Sequence, residues 1–187
     1  MRLFVALEIP AAVRENLATL LRKLREISSQ PRWVRPENLH VTLKFIGEVA
    51  PEKLTSIRAA LASVRSDSPL KLELRGLGFF PNEKRPRVLW AGINASANLA
   101  MLAADIDRAT EKLGIPREQR PFSPHLTLAR FEPPGLPEKL RSAIQENTAR
   151  EFGTLRTGQF HLIESKLKPS GAEYTTLESF TFAGAED

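Results

Sequence analysis

The hydrophobic positions along the chain follow strand-like and helix-like spacings in turn. Residues 2–9 are an apolar run rich in β-branched and aromatic side chains, which predicts a first strand. Pro10 stands where a helix can begin, and the apolar residues from Val13 to Ile27 recur every three or four positions, which predicts a helix. The same reasoning predicts strands over residues 39–46, 70–79, 87–93, 125–131, 153–164 and 174–182, and helices after Pro51, from Leu99 to Leu113 and near residues 137–147.

The order of these elements indicates an α+β fold in which most strands are antiparallel and about four helices cover the outer faces. No stretch is low in complexity, and no linker is long enough to separate independent domains. Residues 1–187 are therefore predicted to form one domain.

One short pattern occurs twice in the chain. Leu39-His40-Val41-Thr42-Leu43 is matched 85 positions later by Pro124-His125-Leu126-Thr127-Leu128. The chain has only three histidines, and two of them fall into this one frame. The surroundings of the two copies are also alike, with a strand, a helix and a long connection. The repeat predicts two similar lobes, each of which contributes one His-x-Thr strand.

Side chains of a strand alternate between its two faces, so His40 and Thr42 share one face, as do His125 and Thr127. Each strand then presents an imidazole and a hydroxyl together on a rigid element. If the lobes pack about a pseudo-twofold axis, the two pairs face each other across a cleft. The positions between them are predicted to pack in the core: Leu39, Val41, Leu43 and Phe45 in the first strand, and Leu126 and Leu128 in the second.

Two imidazoles and two hydroxyls suit a displacement reaction at phosphorus. One imidazole can take a proton from the attacking oxygen while the other gives a proton to the leaving oxygen, and an unperturbed pKa near ~6.5 allows both roles at neutral pH. The two Thr hydroxyls can donate hydrogen bonds to phosphate oxygens. Because the attacking and leaving oxygens lie opposite each other, the reaction needs a base on one side and an acid on the other. The pattern favours metal-free hydrolysis of the ribonuclease type, with no cofactor.

Other kinds of site fit these residues less well. A single His-x-Thr strand is typical of a structural histidine, and only the duplication argues against that interpretation. A metal site is the next alternative, but two histidines without Cys, without His-x-x-x-His and without a neighbouring acidic segment have poor ligand spacing. The sequence contains no Gly-x-Ser-x-Gly elbow, no P-loop and no dinucleotide-binding glycine fingerprint.

Composition narrows the class of protein further. The 187 residues contain no Cys, which excludes a disulfide scaffold, a zinc finger, an iron–sulfur cluster and a thiol nucleophile. No apolar run approaches the ~18 residues that cross a bilayer, and the first segment is interrupted by Arg2 and Glu8, so we expect a cytoplasmic protein without a membrane partner. The net charge of +5 favours an anionic partner, although charge that serves only solubility would look the same.

The paired motif resembles the 2H phosphoesterases, a superfamily named for its two histidines. The whole chain is similar to the RNA 2',3'-cyclic phosphodiesterases of that superfamily, which are also called 2'-5' RNA ligases. The stretches that carry the resemblance are residues 2–7, 33–34, 37–43, 124–130, 162–167 and 171–174.

The resemblance implies a bilobal fold with pseudo-twofold symmetry, in which each lobe is an antiparallel sheet with helices on its outer face and the active site lies in the central cleft between the sheets. It also implies the opening of a 2',3'-cyclic phosphate at an RNA 3' end to leave a 2'-phosphate, without metal or ATP; tRNA fragments and related cyclic nucleotides are candidate substrates. By position, His40 and His125 are the acid/base pair, with His125 activating water and His40 protonating the 3' oxygen. Thr42 and Thr127 hold the phosphate oxygens, and Arg130 matches a family arginine that approaches the phosphate.

Arg130 needs a local irregularity to fill that role. Strict alternation places it on the strand face opposite His125 and Thr127, so it requires a β-bulge or the end of the strand to reach the cleft. A solvent-facing arginine is the alternative. A guanidinium that does reach the cleft is well matched to a phosphate, because it can form two parallel hydrogen bonds.

Several further side chains are candidates either for contact with RNA or for packing. Those that could stack on a base are Phe45, Phe79, Phe80 and Trp33, although aromatic residues in such runs are more often core. Arg85 and Arg87 flank a loop that could touch the RNA backbone, and Tyr174 matches a family position near the cleft. His161 has no Thr partner and is predicted to be structural.

Two classes of function stay open on the sequence alone. The first is the enzyme just described, and the second is a non-catalytic module that binds phosphorylated RNA ends. A non-catalytic binding module would not explain why the repeated motif carries two imidazoles in place of two Lys or Arg side chains. Ligation of RNA through a 2'-5' linkage is the reverse chemistry at the same site, and the residues do not decide the direction. Nothing in the sequence indicates an obligate oligomer, so a monomer is predicted.

Overall fold

The computed structural model describes residues 1–66, 69–133 and 135–182, and within them the chain forms nine strands and four α-helices. The strands are β1 (Arg2–Glu8), β2 (Arg32–Trp33), β3 (His40–Glu48), β4 (Leu70–Phe80), β5 (Val88–Ala95), β6 (His125–Arg130), β7 (Glu151–Thr157), β8 (Gln159–Lys168) and β9 (Gly171–Thr181). The helices are α1 (Ala11–Ile27), α2 (Leu54–Ala62), α3 (Ala97–Glu111) and α4 (Glu138–Glu146). Each helix lies where the apolar spacing predicts one.

The strands form two antiparallel sheets. The first has the order β3-β1-β8-β9, and the second has the order β2-β6-β5-β4-β7. Apart from the two-residue β2, the sheets share one plan, in which β3 corresponds to β6, β1 to β5, β8 to β4 and β9 to β7. The predicted α+β class with two antiparallel sheets is confirmed.

The two halves of the chain repeat one unit, which is a strand, a helix and a second strand antiparallel to the first. The unit is β1–α1–β3 in the first half and β5–α3–β6 in the second. Its last strand carries the His-x-Thr motif in both cases. Residues of β3 and β6 approach to within 8 Å between Cα atoms, so the duplication brings both motifs into one region of the molecule.

Most buried apolar side chains of both sheets and of the four helices form one continuous cluster, and a second, small cluster on the first sheet consists of Phe4, Ala6 and Ile163. Helix α1 contributes a stripe at three- and four-residue spacing that includes Val13, Leu17, Leu21 and Leu24, all at most 5% exposed. Full burial of each such leucine stabilises the fold by roughly 1.5–3 kcal/mol relative to an exposed position. Among the described residues, no helix is both long and apolar enough to span a bilayer.

The single strand predicted over residues 153–164 is wrong, because β7 and β8 divide that segment and belong to different sheets. The chain leaves the second sheet at Thr157, whose hydroxyl donates to the Gln159 carbonyl oxygen at 3.1 Å, and then enters the first sheet. Buried apolar residues continue on both sides of the break, at Leu155 and Phe160, so hydrophobic spacing does not reveal it. The spacing also misses β2, because two residues are too few to show a period.

Candidate active site

In each of the two His-x-Thr strands, the histidine and the threonine lie on the same face of the strand. His40 and Thr42 are half-buried in β3, and the residue between them is fully buried. His125 and Thr127 are half-buried in β6 with the same arrangement. Each strand packs its apolar face on the core and leaves the other face open, which gives the alternation expected from the sequence.

Both strands carry a β-bulge directly after the threonine. The pairing of β3 with β1 passes over Leu43, and the pairing of β6 with β5 passes over Leu128. An extra residue of this kind shifts the alternation of the residues that follow it. Lys44 and Ala129 are therefore buried, and the next residue of each strand returns to the face of the histidine and threonine.

Those next residues are Phe45 and Arg130. The bulge supplies the irregularity that Arg130 needs, and Arg130 lies close enough to Tyr174 to influence the pKa of its phenol.

The prediction that Phe45 belongs to the core is wrong, because its side chain is 60% exposed. It contacts Phe4 on the motif face, with ring centroids 6.3 Å apart. Alternation counted without the bulge assigns Phe45 to the wrong face.

The two motif imidazoles are oriented in the same way. His40 Nδ1 lies 2.5 Å from the carbonyl oxygen of Asn38, and His125 Nδ1 lies 2.8 Å from the carbonyl oxygen of Ser123. In both strands the partner is the residue two positions earlier. A carbonyl oxygen can only accept, so Nδ1 carries the hydrogen in each ring. Nε2 of each neutral imidazole is left with a free lone pair for a substrate.

His40 lies in an aromatic setting. Its ring stacks on Phe4 at a centroid distance of 4.7 Å, and Tyr174 meets it edge-on at 5.2 Å. Burial lowers the pKa of His40, because the charged ring loses hydration, and the hydrogen bond to the Asn38 carbonyl opposes this shift in part. The free protein therefore holds His40 in its neutral form at neutral pH.

Tyr174 contacts the first motif strand and lies within electrostatic range of the second. It extends from β9 and contacts His40 of β3, while the charge of Arg130, at the end of β6, reaches its phenol. Burial raises the pKa of Tyr174, and the neighbouring Arg130 and Arg2 guanidinium groups oppose that rise. The phenol stays protonated at neutral pH and can donate a hydrogen bond.

His125 has a different aromatic neighbour. Phe80 meets its ring edge-on at a centroid distance of 4.9 Å and also packs on Trp90, 5.5 Å away. The Trp90 indole lies flat against Gly78, where a Cβ atom would overlap the ring. Glycine at that position therefore gives Trp90 its place beside the strand that carries His125.

A buried ion pair ties β3 to the segment that precedes His125. Lys44 Nζ donates to Asp107 Oδ1 of α3 at 2.6 Å and to the carbonyl oxygen of Pro116 at 2.7 Å, and the Lys44 side chain is 1% exposed. Burial by itself would raise the pKa of Asp107, but the hydrogen bonds from Lys44 and the Glu118 backbone hold it below its usual range. The alternation pattern assigns Lys44 to the open face and so misses this contact.

A pocket of about 160 Å³ opens beside His40. Tyr174, Ile163 and Thr176 form one side of it, and acidic and basic groups from β1, α1 and the turn before β3 complete it. The lining residues are Glu8, Arg14, Glu37, Leu39, His40, Ile163, Tyr174 and Thr176. His40 is thus accessible from a cavity large enough for a small organic group.

The remaining candidates divide between the core and the surface. Trp33 is buried and donates from Nε1 to the Ser28 carbonyl oxygen at 3.0 Å, so it packs in the core. Phe79 packs on the buried Phe131. Arg85 and Arg87 are exposed. His161 is buried, and its Nδ1 lies 2.8 Å from Ser179 Oγ.

The sequence profile of the LigT-like phosphoesterases matches residues 7–90 and 92–174, so each matched segment contains one His-x-Thr motif. Among curated relatives, the RNA 2',3'-cyclic phosphodiesterase of Archaeoglobus fulgidus is 37% identical over 180 residues, covering 96% of this chain and 99% of the relative. That of Methanothermobacter thermautotrophicus is 34% identical over 180 residues, covering 96% and 97%.

Solved structures agree with the sequence comparison. A Thermus thermophilus protein superposes with a TM-score of 0.82 at 36% identity, covering all of both chains. The Escherichia coli LigT structure with 3'-AMP superposes with a TM-score of 0.78 at 27% identity, covering 97% of each chain. The profile match spans most of the chain, and the fold and both motifs agree with it. The chain therefore belongs to the LigT-like phosphoesterase family of the 2H phosphoesterases.

Proposed function

We propose that this protein is a metal-independent RNA 2',3'-cyclic phosphodiesterase that leaves a 2'-phosphate. The observation that carries the proposal is the duplicated imidazole, since both motif histidines bond through Nδ1 to a backbone carbonyl and keep Nε2 for the substrate. The names of the relatives from Archaeoglobus and Methanothermobacter support the same activity.

In the proposed reaction, water attacks the phosphorus of the cyclic phosphate opposite the 3' oxygen. His125 Nε2 takes a proton from the water as the new phosphorus–oxygen bond forms. His40 gives a proton to the 3' oxygen as the bond from phosphorus to that oxygen breaks. The product carries a 3'-hydroxyl and a 2'-phosphate. At the end of the reaction His125 is protonated and His40 is neutral.

His40 is neutral in the free protein, so it must gain a proton before it can act as the acid. The negative charge of a bound cyclic phosphate favours the charged imidazolium and supports this gain. A neutral His125 is ready to accept a proton through Nε2, because its Nδ1 hydrogen is already given to the Ser123 carbonyl. The two rings can therefore hold the protonation states that the reaction needs.

The non-bridging phosphate oxygens become more negative as the reaction proceeds. In this proposal Thr42 and Thr127 donate hydrogen bonds to them, and Arg130 supplies a positive charge. Donors that are fixed before the substrate arrives lower the barrier, because they need no reorganisation as the charge develops.

The same site can also run a transfer between RNA ends. A 5'-hydroxyl that takes the place of water would attack the same phosphorus, displace the 3' oxygen and form a 2'-5' linkage. His40 remains the acid and His125 remains the base. The relative concentrations of water and RNA ends decide whether hydrolysis or ligation prevails.

The test is to incubate the protein with an RNA oligonucleotide that ends in a 2',3'-cyclic phosphate, with and without EDTA, and to identify the product. We expect a 2'-phosphate at an unchanged rate in EDTA. A 3'-phosphate would contradict the assignment of the leaving oxygen, and loss of turnover in EDTA would contradict metal independence. Binding without conversion would favour a non-catalytic module for phosphorylated RNA ends.

A further inference from the structure

Asn38 is a buried polar residue, 9% exposed, that lies two positions before His40. A buried amide costs free energy unless it finds a hydrogen-bond partner. The Asn38 side chain finds one far away in the sequence, because its Nδ2 donates to the carbonyl oxygen of Ala172 at 2.9 Å, across 134 positions. This bond fastens the turn before β3 to the start of β9.

The carbonyl oxygen of Ala172 accepts a second hydrogen bond from the same turn, from Nη2 of Arg35 at 2.6 Å. A carbonyl oxygen has two lone pairs, so these two donors satisfy it completely. Arg35 and Asn38 also close the turn between them, since the Asn38 backbone N–H donates to the Arg35 carbonyl oxygen at 2.8 Å. Both ends of the turn are thus held at one point of β9.

The turn carries the group that orients His40. The carbonyl oxygen of Asn38 lies 2.5 Å from Nδ1 of the imidazole, and its direction decides how the ring points and which nitrogen keeps the hydrogen. When His40 is charged, both ring nitrogens carry a hydrogen. The carbonyl holds the hydrogen on Nδ1, so the proton on Nε2 is the one that can pass to the 3' oxygen and leave a neutral ring.

The same anchor keeps Tyr174 beside the imidazole. Tyr174 follows Ala172 by two residues on the same face of β9, and its ring lies 5.2 Å from that of His40. In the second half the carbonyl that orients His125 belongs to Ser123, which is exposed. The first half therefore buries the residue that supports its histidine, whereas the second half leaves it open to solvent.

We propose that Asn38 is a positioning residue for His40. Its amide, assisted by Arg35, fixes the carbonyl that orients the imidazole and selects the tautomer with the hydrogen on Nδ1. The kinetic consequence rests on the proposed function, in which His40 is the acid. Asn38 acts through His40 and not on the substrate, so its loss should lower kcat and leave KM nearly unchanged.

The first experiment measures kcat and KM for a nucleoside 2',3'-cyclic phosphate. Asn38→Ala and Asn38→Asp both remove the donor to Ala172, and Asn38→Asp keeps nearly the same shape. Each should lose about 10- to 100-fold in kcat, the effect of a small displacement of a reacting group. Arg35→Ala leaves the buried amide in place and should lose about 2- to 10-fold, the rate equivalent of one hydrogen bond.

Asn16→Ala is the matched control. Asn16 Nδ2 makes the same kind of bond, from α1 to the carbonyl oxygen of Phe152 in β7, at 2.8 Å. The control variant should be destabilised in urea and should keep the wild-type kcat.

The second experiment determines the tautomer of His40 by NMR and needs no turnover. At a pH above the titration of His40, the ring nitrogen chemical shifts should place the hydrogen on Nδ1 in the wild type and in Asn16→Ala. Asn38→Ala and Asn38→Asp should show a mixture of the two tautomers. His125 should keep its tautomer in every variant, because its partner is the Ser123 carbonyl, and it serves as the internal reference.

An unchanged kcat or an unchanged His40 tautomer in the two Asn38 variants would overturn the inference. An equal loss of kcat in Asn16→Ala would also overturn it, because the loss would then follow from destabilisation alone. Should neither Asn38 variant fold, Arg35→Ala decides, and a wild-type kcat with a wild-type tautomer there would overturn the role of the anchor. If the wild type does not open the cyclic phosphate, the proposed function fails, and the tautomer comparison alone decides whether Asn38 positions His40.

Discussion

At the scale of single residues, one extra position in each motif strand decides which side chains reach the site. Alternation predicts the faces of His40 and Thr42 correctly, because they precede the bulge. It fails at Phe45, which follows the bulge. In the second strand the consecutive apolar residues Leu128 and Ala129 are a local sign of a bulge. The first strand has Lys44 at the corresponding position and gives no such sign.

The environment of His40 leads to a prediction about its titration. Burial against Phe4 and Tyr174 lowers the pKa of His40, so its midpoint in the free protein should lie below the ~6.5 of an unperturbed imidazole. NMR titration of the His40 ring signals, assigned with His40→Gln, measures it directly. A midpoint at or above 6.5 would contradict the packing described for this ring.

The same shift has a consequence for stability. The unfolded chain takes up a proton at His40 near pH ~6.5, whereas the folded protein does so only at lower pH. The contribution of His40 to the free energy of unfolding is therefore fully present above pH ~6.5 and is lost progressively as the pH falls from there through the lower pKa of the folded state. Urea unfolding of His40→Gln should show a weaker dependence on pH than the wild type between pH 5 and about 6.5.

Arg130 should contribute through its charge and its geometry. Loss of a hydrogen bond to a charged group costs ~1.5–3 kcal/mol, so Arg130→Ala should lower kcat/KM for a cyclic phosphate by about 10- to 100-fold. Arg130→Lys should recover only part of the loss, because lysine cannot form two parallel hydrogen bonds. Arg156→Ala removes an exposed arginine of β7 and serves as the control. Activity of Arg130→Ala within twofold of the wild type would exclude a role at the phosphate.

At the scale of elements, hydrophobic spacing locates the helices and most strands but not the partners of the strands. Residues 153–164 show why, since apolar residues continue from β7 into β8 while the chain changes sheets at Gly158. The sheet that each strand joins depends on contacts between residues distant in sequence. The local spacing of apolar residues does not indicate those contacts. The pairing of Lys44 with α3 is hidden for the same reason.

The Lys44–Asp107 pair should be important for stability. Lys44→Met removes the closest partner of the mostly buried Asp107 carboxylate, which keeps the Glu118 backbone N–H at 3.2 Å and the Arg117 guanidinium at 3.5 Å. We therefore expect a cost of ~1.5–3 kcal/mol, the value of one hydrogen bond to a charged group. The double variant Lys44→Met with Asp107→Leu should be less destabilised than the sum of the single variants. The exposed pair of Arg32 and Glu132 is the control, since Arg32→Met should cost at most about 1 kcal/mol. Urea unfolding measures all four, and equal costs for Lys44→Met and Arg32→Met would contradict this account.

At the scale of the whole molecule, the repeated motif predicts the two similar units but not how their sheets are completed. Strands β8 and β9 belong to the first sheet, although in the sequence they follow every strand of the second sheet. One continuous apolar cluster joins the two, so neither half can keep its core when the other unfolds. The prediction of one domain rests on the lack of a long linker, and this exchange of strands is a second reason to expect it.

Such an arrangement should unfold as one unit. The two tryptophans, Trp33 and Trp90, report on β2 and β5 of the second sheet, and far-ultraviolet circular dichroism reports on all elements. We expect both signals to change with the same midpoint and slope in urea. Two separated midpoints would show that the halves fold independently.

Single-turnover rates of cyclic phosphate opening in His40→Ala, in His125→Ala and in the double variant test whether the two motif imidazoles act as the acid/base pair. Each single variant should lose about 10²- to 10⁴-fold, because each removes one proton transfer. The double variant should lose far less than the product of the two, since residues that act as a unit are not additive. Full activity in either single variant would show that the two imidazoles do not form the acid/base pair.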